Sequence, residues 1–213
     1  NHDFGYMVQG NNRIEVLDVF KDKYWNHIHL VKGKIDATKP IECYVDEEKR
    51  KGFARGHSST HLMYSALRKI YPNEKIEQLG SNITPEHFTF DFGINKKPSK
   101  QEIYEIEQLM RHYISMASKR YYIITSIKKA QEMGAWMTIE ESEYHDANKV
   151  RVVKFDDITL DLCGGTHVEN SSLIENFKII SVDSKGTAIY RLRVITSNKS
   201  VNEYLDNEII KYQ

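Results

Sequence analysis

His57-Ser-Ser-Thr-His61 and Cys163-Gly-Gly-Thr-His167 are two short motifs that lie far apart in this chain of 213 residues. In each motif, two side chains that bind metals are four positions apart, and on a helix this spacing places them on one face. Together the motifs supply three imidazoles and one thiolate, which suit tetrahedral zinc. The sequence therefore predicts a zinc site with the ligands His57, His61, Cys163 and His167. The alternative is a buried cysteine beside histidines that make ordinary hydrogen bonds.

The composition is that of an ordinary globular protein. Hydrophobic residues make up 40% and charged residues 28%, and the formal net charge is zero, with 30 basic and 30 acidic side chains. This balance argues against a protein that binds nucleic acid through a strongly basic surface, although local basic clusters suffice for a modest phosphate contact. No apolar run approaches the length needed to cross a membrane. Because two cysteines do not make a disulfide framework, Cys43 is expected to be a buried thiol in a reducing cytosol.

Residues 1–50 are predicted to form a small N-terminal β subdomain. The segments Ile14–Phe20, His27–Val31 and Ile41–Val45 are rich in β-branched and aromatic residues, and turn-forming residues separate them. A charged stretch, Asp46–Lys51, follows the last segment. We interpret this stretch as the boundary of the subdomain.

A helical pattern begins at about Thr60 and ends before Pro72, with apolar residues recurring at helical spacing. This pattern places His57 and His61 at the N-terminal end of a helix. Ser99-Lys-Gln-Glu102 is a capping box that begins a second long helix. The other apolar segments are predicted strands, namely Phe88–Phe92, Tyr121–Thr125, Val150–Phe155, Ile158–Leu162, Phe177–Val182 and Ala188–Thr196.

The predicted fold class is α+β, with an antiparallel sheet carrying two long helices and one short helix. After the last strand, Val201, Leu205 and Ile209 repeat at four-residue spacing. Residues 198–213 are therefore predicted to be the start of a C-terminal linker helix.

The residues around the metal motifs favour a catalytic site over a structural one. The Gly164-Gly165 pair allows close approach of the backbone, and Gln78 precedes an expected turn at Gly80-Ser81. Zinc peptidases of the His-Glu-x-x-His kind place a glutamate beside the first ligand as general base, and Ser58 occupies that position here. An activated ester is therefore a better candidate substrate than a peptide.

Several motifs, read in order, resemble the editing domain of alanyl-tRNA synthetase. They are His57–Leu62, Gln78–Ser81, Phe90–Phe92, Gly134-Ala135, Val150–Val153, Leu162–Val168 and Phe177–Ile180. Free-standing alanyl-tRNA editing proteins share this domain, and the editing domain of threonyl-tRNA synthetase is a more distant match. The chain departs from the usual family pattern at Gly56, at Thr89 and at Ser171–Glu175, and none of these departures removes a ligand.

The resemblance implies a zinc-dependent deacylase that hydrolyses wrongly made Ser-tRNA(Ala) or Gly-tRNA(Ala). Such an activity is needed because a pocket shaped for alanine rejects glycine weakly, since one carbon is worth only about 1–3 kcal/mol. Residues 51–197 would be the zinc-binding editing domain of a cytoplasmic alanine–tRNA ligase, next to other domains of the parent synthetase and without a membrane partner.

The resemblance also assigns functional residues. It implies metal ligation by His57, His61, Cys163 and His167, and pocket roles for Thr60, Gln78 and Asp91. From the residues alone, Thr60 could equally serve helix packing, Gln78 could be a polar turn residue, and Asp91 could face solvent from its strand.

Other functions remain open at the level of sequence. The chain could be a free-standing trans-editing deacylase, or an unrelated zinc hydrolase of a small ester. It could also be a module in which a structural zinc joins two segments and the domain binds tRNA or a partner without catalysis.

Overall fold

The computed structural model describes residues 2–137 and 146–211. Its internal contacts divide the chain into two compact units, Asn1–Gly52 and Phe53–Gln213. The predicted α+β class is confirmed, because the described residues contain four α-helices and three sheets of antiparallel strands. The single sheet expected for the second unit is in fact two separate sheets.

The first unit contains a four-stranded sheet. Its strands are β1 (Gly5–Gln9), β2 (Asn12–Lys21), β3 (His27–Lys32) and β4 (Glu42–Val45), in the spatial order β3-β2-β1-β4. Among the apolar residues described in this unit, only Met7 and Ile14 are buried. Cys43 is exposed, so the prediction of a buried thiol was wrong. The reason is that β4 lies at the edge of the sheet, with every residue exposed.

The long helix α1 (Glu47–Ile70) begins well before the apolar pattern that predicted it. The charged stretch interpreted as a boundary forms its first turns. Asp46 caps these turns, because its Oδ1 accepts a hydrogen bond of 3.0 Å from the backbone N–H of Lys49. Two glutamates in the first turn are also favourable for the helix dipole.

The extended helix changes the expected position of the first metal motif. His57 and His61 lie near the middle of α1, so their predicted place at its N-terminal end was wrong. The apolar periodicity could not show this, because the first half of the helix is almost entirely polar. The division between the two units, after Gly52, also falls within α1.

One sheet of the second unit packs on α1 to form the main core. Its strands are β5 (Glu77–Ile83), β6 (His87–Gly93), β10 (Phe177–Gly186) and β11 (Ile189–Thr196), in the order β10-β11-β6-β5. Phe88, Phe90 and Phe92 are fully buried, as the alternating pattern predicts. The turn expected at Gly80-Ser81 is instead part of β5, which has a register shift between Gln78 and Gly80.

The other sheet consists of β7 (Arg120–Thr125), β8 (Val150–Phe155) and β9 (Thr159–Leu162), in that order. Directly paired residues of neighbouring strands share a face of the sheet. One face carries Val153 and Phe155 into the main core. The opposite face packs on the short helix α3 (Ile127–Glu132), where Val152 and Leu162 form a second, smaller core.

Two further helices complete the described part of the second unit. The capping box of α2 (Lys100–Ser115) is confirmed, because the Ser99 side chain accepts from the Glu102 N–H while the Ser99 N–H donates to the Glu102 carboxylate. The final helix α4 (Asn198–Lys211) buries Val201. Residues 212–213 of the predicted linker segment lie outside the described residues. None of the described helices is long and apolar enough to cross a membrane.

Glu107 of α2 is a buried carboxylate that ties the helix to β10. It is 3% exposed and accepts hydrogen bonds from the Ile179 N–H at 2.9 Å and from the Lys178 ammonium at 3.1 Å. Its removal leaves both donors without this acceptor. We predict that Glu107→Leu lowers the free energy of unfolding by about 2–3 kcal/mol in urea denaturation. Glu105→Leu, at an exposed position of the same helix, is the control and should change it little. A loss no larger than in the control would contradict this account of the helix contact.

Candidate metal centre

The four side chains predicted to bind metal come together in the folded chain. One nitrogen from each of His57, His61 and His167 and the sulfur of Cys163 all lie within 4.8 Å of one another. The sulfur is 3.4 Å from Nε2 of His57 and 3.4 Å from Nε2 of His167. In a tetrahedral zinc site with usual bond lengths, sulfur and nitrogen ligands are about 3.6 Å apart. The group therefore has the spacing and the donor set to hold one divalent ion.

Each motif reaches the group from a different element. His57 and His61 project from adjacent turns of α1, and their ring centroids are 5.1 Å apart. Cys163 follows directly after β9, and His167 lies at the end of the loop that Cys163 begins. His167 is buried, whereas Cys163 and His57 are partly exposed and Gly164 is exposed. The group therefore has a buried side and a side open to solvent.

A buried carboxylate orients one of the imidazoles. The Oδ2 atom of Asp161 lies 2.9 Å from Nδ1 of His61, and the Asp161 side chain is only 2% exposed. The hydroxyl of Thr159 donates a hydrogen bond to the same carboxylate oxygen. Because Nδ1 of His61 is bound in this way, its Nε2 is left to face the group.

Ser58 performs a similar task for His167. Its hydroxyl oxygen is 3.4 Å from Nδ1 of His167 and accepts a 3.0 Å hydrogen bond from the backbone N–H of Val168. Ser58 is fully buried. The residue at the position of the peptidase glutamate therefore supports a ligand and the adjoining loop, and it offers no carboxylate to act as a base.

Two arginines of the three-stranded sheet hold the loop that carries Cys163 and His167. Arg151 donates hydrogen bonds to the carbonyl oxygens of Cys163, at 2.9 Å, and of Gly165. Arg120 donates a 2.6 Å hydrogen bond to the carbonyl oxygen of His167. The backbone of the loop is thus fixed at its start, its middle and its end.

The glycine pair has one position where close approach is required. A Cβ atom at Gly165 would overlap the ring of His57, whereas a Cβ atom at Gly164 would point into open space. The close backbone approach expected from the sequence therefore occurs at Gly165 and not at Gly164.

The electrostatics of the group favour the metal-binding forms of Cys163 and His167 but not that of His61. Burial would raise the pKa of the Cys163 thiol, but hydrogen bonds with His167, His57 and His61 outweigh burial and lower this pKa to about 2. Burial also lowers the pKa of His167, to about 4. Burial opposes protonation of His61 too, yet its hydrogen bonds to Asp161 and Cys163 raise its pKa to about 10. At neutral pH, Cys163 is therefore a thiolate and His167 is neutral, while His61 must release a proton when it binds metal.

The three predicted pocket residues have identifiable partners. The hydroxyl of Thr60 donates to the carbonyl oxygen of His57, which is the usual contact of a threonine within a helix. Gln78 donates to the hydroxyl of Ser81 at 3.3 Å, and Asp91 forms a two-bond ion pair with Arg191 at 2.6 and 2.7 Å. Within the described residues, no hydrogen bond joins Gln78 or Asp91 to the four metal-binding side chains. Their pocket roles stay predictions.

Sequence reasoning did not assign the supporting roles of five residues, namely Ser58, Arg120, Arg151, Thr159 and Asp161. A signal was available for two of them. Arg151 and Asp161 interrupt apolar strands, and the alternation of those strands places both side chains on the face that carries Val153 into the core. A charged residue on the inward face of a strand needs a partner, and here that partner is the metal group or its loop.

Comparisons with known proteins show that the chain is similar to part of the aminoacyl-tRNA synthetases that act on alanine. Residues 150–193 match the family described as the threonyl and alanyl tRNA synthetase second additional domain. The chain is 50% identical over 204 residues to the alanine–tRNA ligase of Mycoplasmopsis agalactiae, covering 96% of the chain, and 52% identical over 210 residues to that of Mycoplasma mobile, covering 99%. The ligase of Mesoplasma florum is 37% identical over 211 residues, covering 98% of the chain.

These comparisons confirm the resemblance inferred from the motifs. The chain spans 23% of the length of each of these three relatives. It is therefore similar throughout to one segment of a longer synthetase. The matched family region contains Cys163 and His167, while His57 and His61 lie outside it.

The contact between Gly165 and His57 generates a first prediction about this centre. Gly165→Ala forces the ring of His57 away from the other ligands, at an overpacking cost of about 1–3 kcal/mol. We expect Co²⁺ affinity to fall by about tenfold or more. Competition with a chromophoric chelator measures this affinity. The matched control is Gly164→Ala, which meets open space and should keep the original affinity. Equal affinities of the two variants would contradict the observed position of the ring.

The contact between Asp161 and His61 generates a second prediction. Asp161→Asn removes the charge that orients His61, and we expect Co²⁺ affinity to fall by roughly 10–100-fold. Glu107→Gln is the control, because it removes another buried carboxylate charge of the same unit that contacts none of the four ligands. The control variant should lose stability and keep its Co²⁺ affinity. The same loss of affinity in both variants would show that Asp161 acts only through general stability.

Proposed function

We propose, on the premise that the chain is a member of the alanyl-tRNA synthetase editing-domain family, that it hydrolyses the ester bond of Ser-tRNA(Ala) or Gly-tRNA(Ala) with the aid of zinc. The supporting observation is the group of three imidazoles and one thiolate around a single centre, with one side open to solvent. Zinc bound there would act as a Lewis acid toward the ester carbonyl or the attacking water.

The described residues around the centre position the reaction, and none of them offers it a free carboxylate to act as a base. The carboxylate that contacts the group belongs to Asp161, and it is occupied by His61 and Thr159. Ser58 is buried against His167. Such a site suits an activated ester, which is easier to hydrolyse than an amide. A neighbouring ribose hydroxyl of the RNA would then assist in moving the proton.

The substrate follows from the errors that a synthetase makes. Serine and glycine enter a site shaped for alanine because a small change in side chain gives little discrimination. A second site that hydrolyses these products corrects the error. We propose that tRNA(Ala) carrying a wrong amino acid is the partner of this chain, and that Thr60, Gln78 and Asp91 contribute to its recognition.

We also propose that the chain is part of a longer alanine–tRNA ligase. Its relatives are alanine–tRNA ligases of about four times its length, by the 23% coverage. We place the chain in the cytoplasm beside other synthetase domains, which would carry out the ATP-dependent charging of tRNA. A free-standing deacylase is the alternative arrangement of the same activity.

The decisive experiment measures deacylation of Ser-tRNA(Ala), Gly-tRNA(Ala) and Ala-tRNA(Ala) by the purified chain. We predict faster release of serine or glycine than of alanine, loss of activity after chelation and recovery with added zinc. His61→Ala should lose more activity than the roughly 10–100-fold that removal of an outer partner costs. His87→Ala, which changes a histidine of β6 outside the metal group, is the control and should remain active. Equal rates for all samples would contradict the proposal.

A structural zinc is the second candidate, and the number of ligands favours it. Four protein ligands complete a tetrahedral shell, whereas catalytic zinc sites usually have three and an open position. The absorption spectrum of the Co²⁺ form distinguishes the two functions. If a non-hydrolysable aminoacyl-RNA analogue changes the spectrum, the substrate reaches the metal, and if the analogue binds without changing it, the structural function is favoured.

A further inference from the structure

We propose that a surface beside the metal loop binds the RNA phosphate backbone next to the aminoacylated 3′ end. This surface, called the arginine–tyrosine face, consists of Arg120, Tyr122, Ile124 and Arg151. The inference rests on the proposed function, because it assigns a binding site to the RNA that the hydrolytic centre would act on. It specifies where the RNA lies and which charges attract it.

The strand register places these four side chains together. Arg120, Tyr122 and Ile124 alternate along β7 and therefore share one face of the sheet. Arg151 of β8 is paired directly with Ile124 and lies on the same face. Tyr122 is 39% exposed and Ile124 is 60% exposed, so this part of the face is open to solvent.

The face is continuous with the metal centre. Arg120 and Arg151 both donate to carbonyl oxygens of the loop that carries Cys163 and His167. The guanidinium carbons of the two arginines lie 4.1 and 4.2 Å from the centroid of the Tyr122 ring. A ligand that contacts these guanidiniums is therefore adjacent to the loop, as a nucleotide next to the scissile ester must be.

In the described part of the chain, neither Arg120 nor Arg151 forms an ion pair with a carboxylate, whereas Arg55 and Arg191 both do. The loop carbonyls that they contact are neutral and do not cancel the charges. Each guanidinium has five N–H donors, and only some of them are used by the loop. Two like charges beside one ring attract an anion, and the planar N–H fork of each guanidinium matches the oxygens of a phosphate.

The apolar part of the face favours RNA as the source of that phosphate. Single-stranded RNA is bound by arginines together with aromatic and apolar side chains, on which bases and riboses pack. Tyr122 and Ile124 supply such a surface next to the two charges. The chain as a whole has a formal net charge of zero, so this attraction is local to the face.

The test changes the charge of the face without changing the metal loop. Ile124 is the suitable position because it is exposed and is not among the residues that hold the loop. The ligand is an RNA hairpin with the acceptor sequence of tRNA(Ala) and no attached amino acid. We expect Ile124→Glu to weaken binding of this hairpin about fivefold or more, and Ile124→Lys to strengthen it. We also expect the slope of the logarithm of the binding constant against the logarithm of the salt concentration to change by about one unit. The slope should become shallower with Glu and steeper with Lys. Fluorescence anisotropy at several salt concentrations measures both quantities.

Matched controls use another exposed apolar residue of the same unit. Leu173 is 50% exposed and lies on the short 3-10 helix Ser171–Ile174, away from β7 and β8 in sequence. Leu173→Glu and Leu173→Lys should leave RNA binding unchanged. The Co²⁺ spectrum and the urea midpoint of all four variants verify that the metal centre and the fold are retained.

The outcomes separate this inference from the proposed function. If the Ile124 and Leu173 variants bind RNA alike, or if the original chain binds no hairpin at low salt, the inference is wrong whether or not deacylation is observed. If binding follows the sign of the charge at residue 124 but no ester is hydrolysed, the binding face stands and the catalytic proposal fails. A further variant, Arg120→Gln, should weaken RNA binding and make its salt dependence shallower. Because Arg120 also contacts the metal loop, the zinc content of this variant is measured in parallel.

Discussion

The buried hydrogen bond between Asp161 and His61 joins the middle of α1 to the strand that leads into the cysteine loop. A carboxylate with 2% of its side chain exposed is costly unless it has a partner, and a buried imidazole has the same requirement. The pair therefore specifies one registration of the helix on the sheet. A displacement of α1 by one residue would rotate His61 away from Asp161 and leave both groups unsatisfied.

The three-stranded sheet supports the centre through one of its faces. Asp161 contacts a ligand directly, while Arg120 and Arg151 contact the backbone of the loop. The same face carries Val153 and Phe155 into the main core, so the residues that support the centre are held in place by a tightly packed part of the sheet. Each of these contacts holds an atom of a ligand residue other than the one that would bind metal, namely Nδ1 of His61 and the carbonyl oxygens of Cys163 and His167. The metal-binding atoms of these three residues are thus positioned without the help of an ion. The exception is the nitrogen of His57, whose ring packs on Gly165.

Much of this arrangement was visible in the sequence. The spacing within the two motifs identified the four side chains that converge, and alternation identified the buried phenylalanines of β6. The start of α1 was missed because a polar, capped first half has no apolar period to detect. The exposure of Cys43 was missed because strand order, which makes β4 an edge, depends on contacts between distant segments. Arg151 and Asp161 were visible as charged residues within apolar strands, but only the strand register shows that both lie on the face beside the metal group.

The start of α1 has a practical consequence for dissecting the protein. A cut between residues 50 and 51, where the charge pattern suggested a boundary, would sever the helix and discard Asp46 together with the first turn. Loss of a cap alone costs a helix about 1 kcal/mol, and the new end would expose backbone amides only two turns ahead of His57. A fragment made to study the histidine–cysteine cluster in isolation should therefore begin no later than Asp46, so that the helix has its natural first turn.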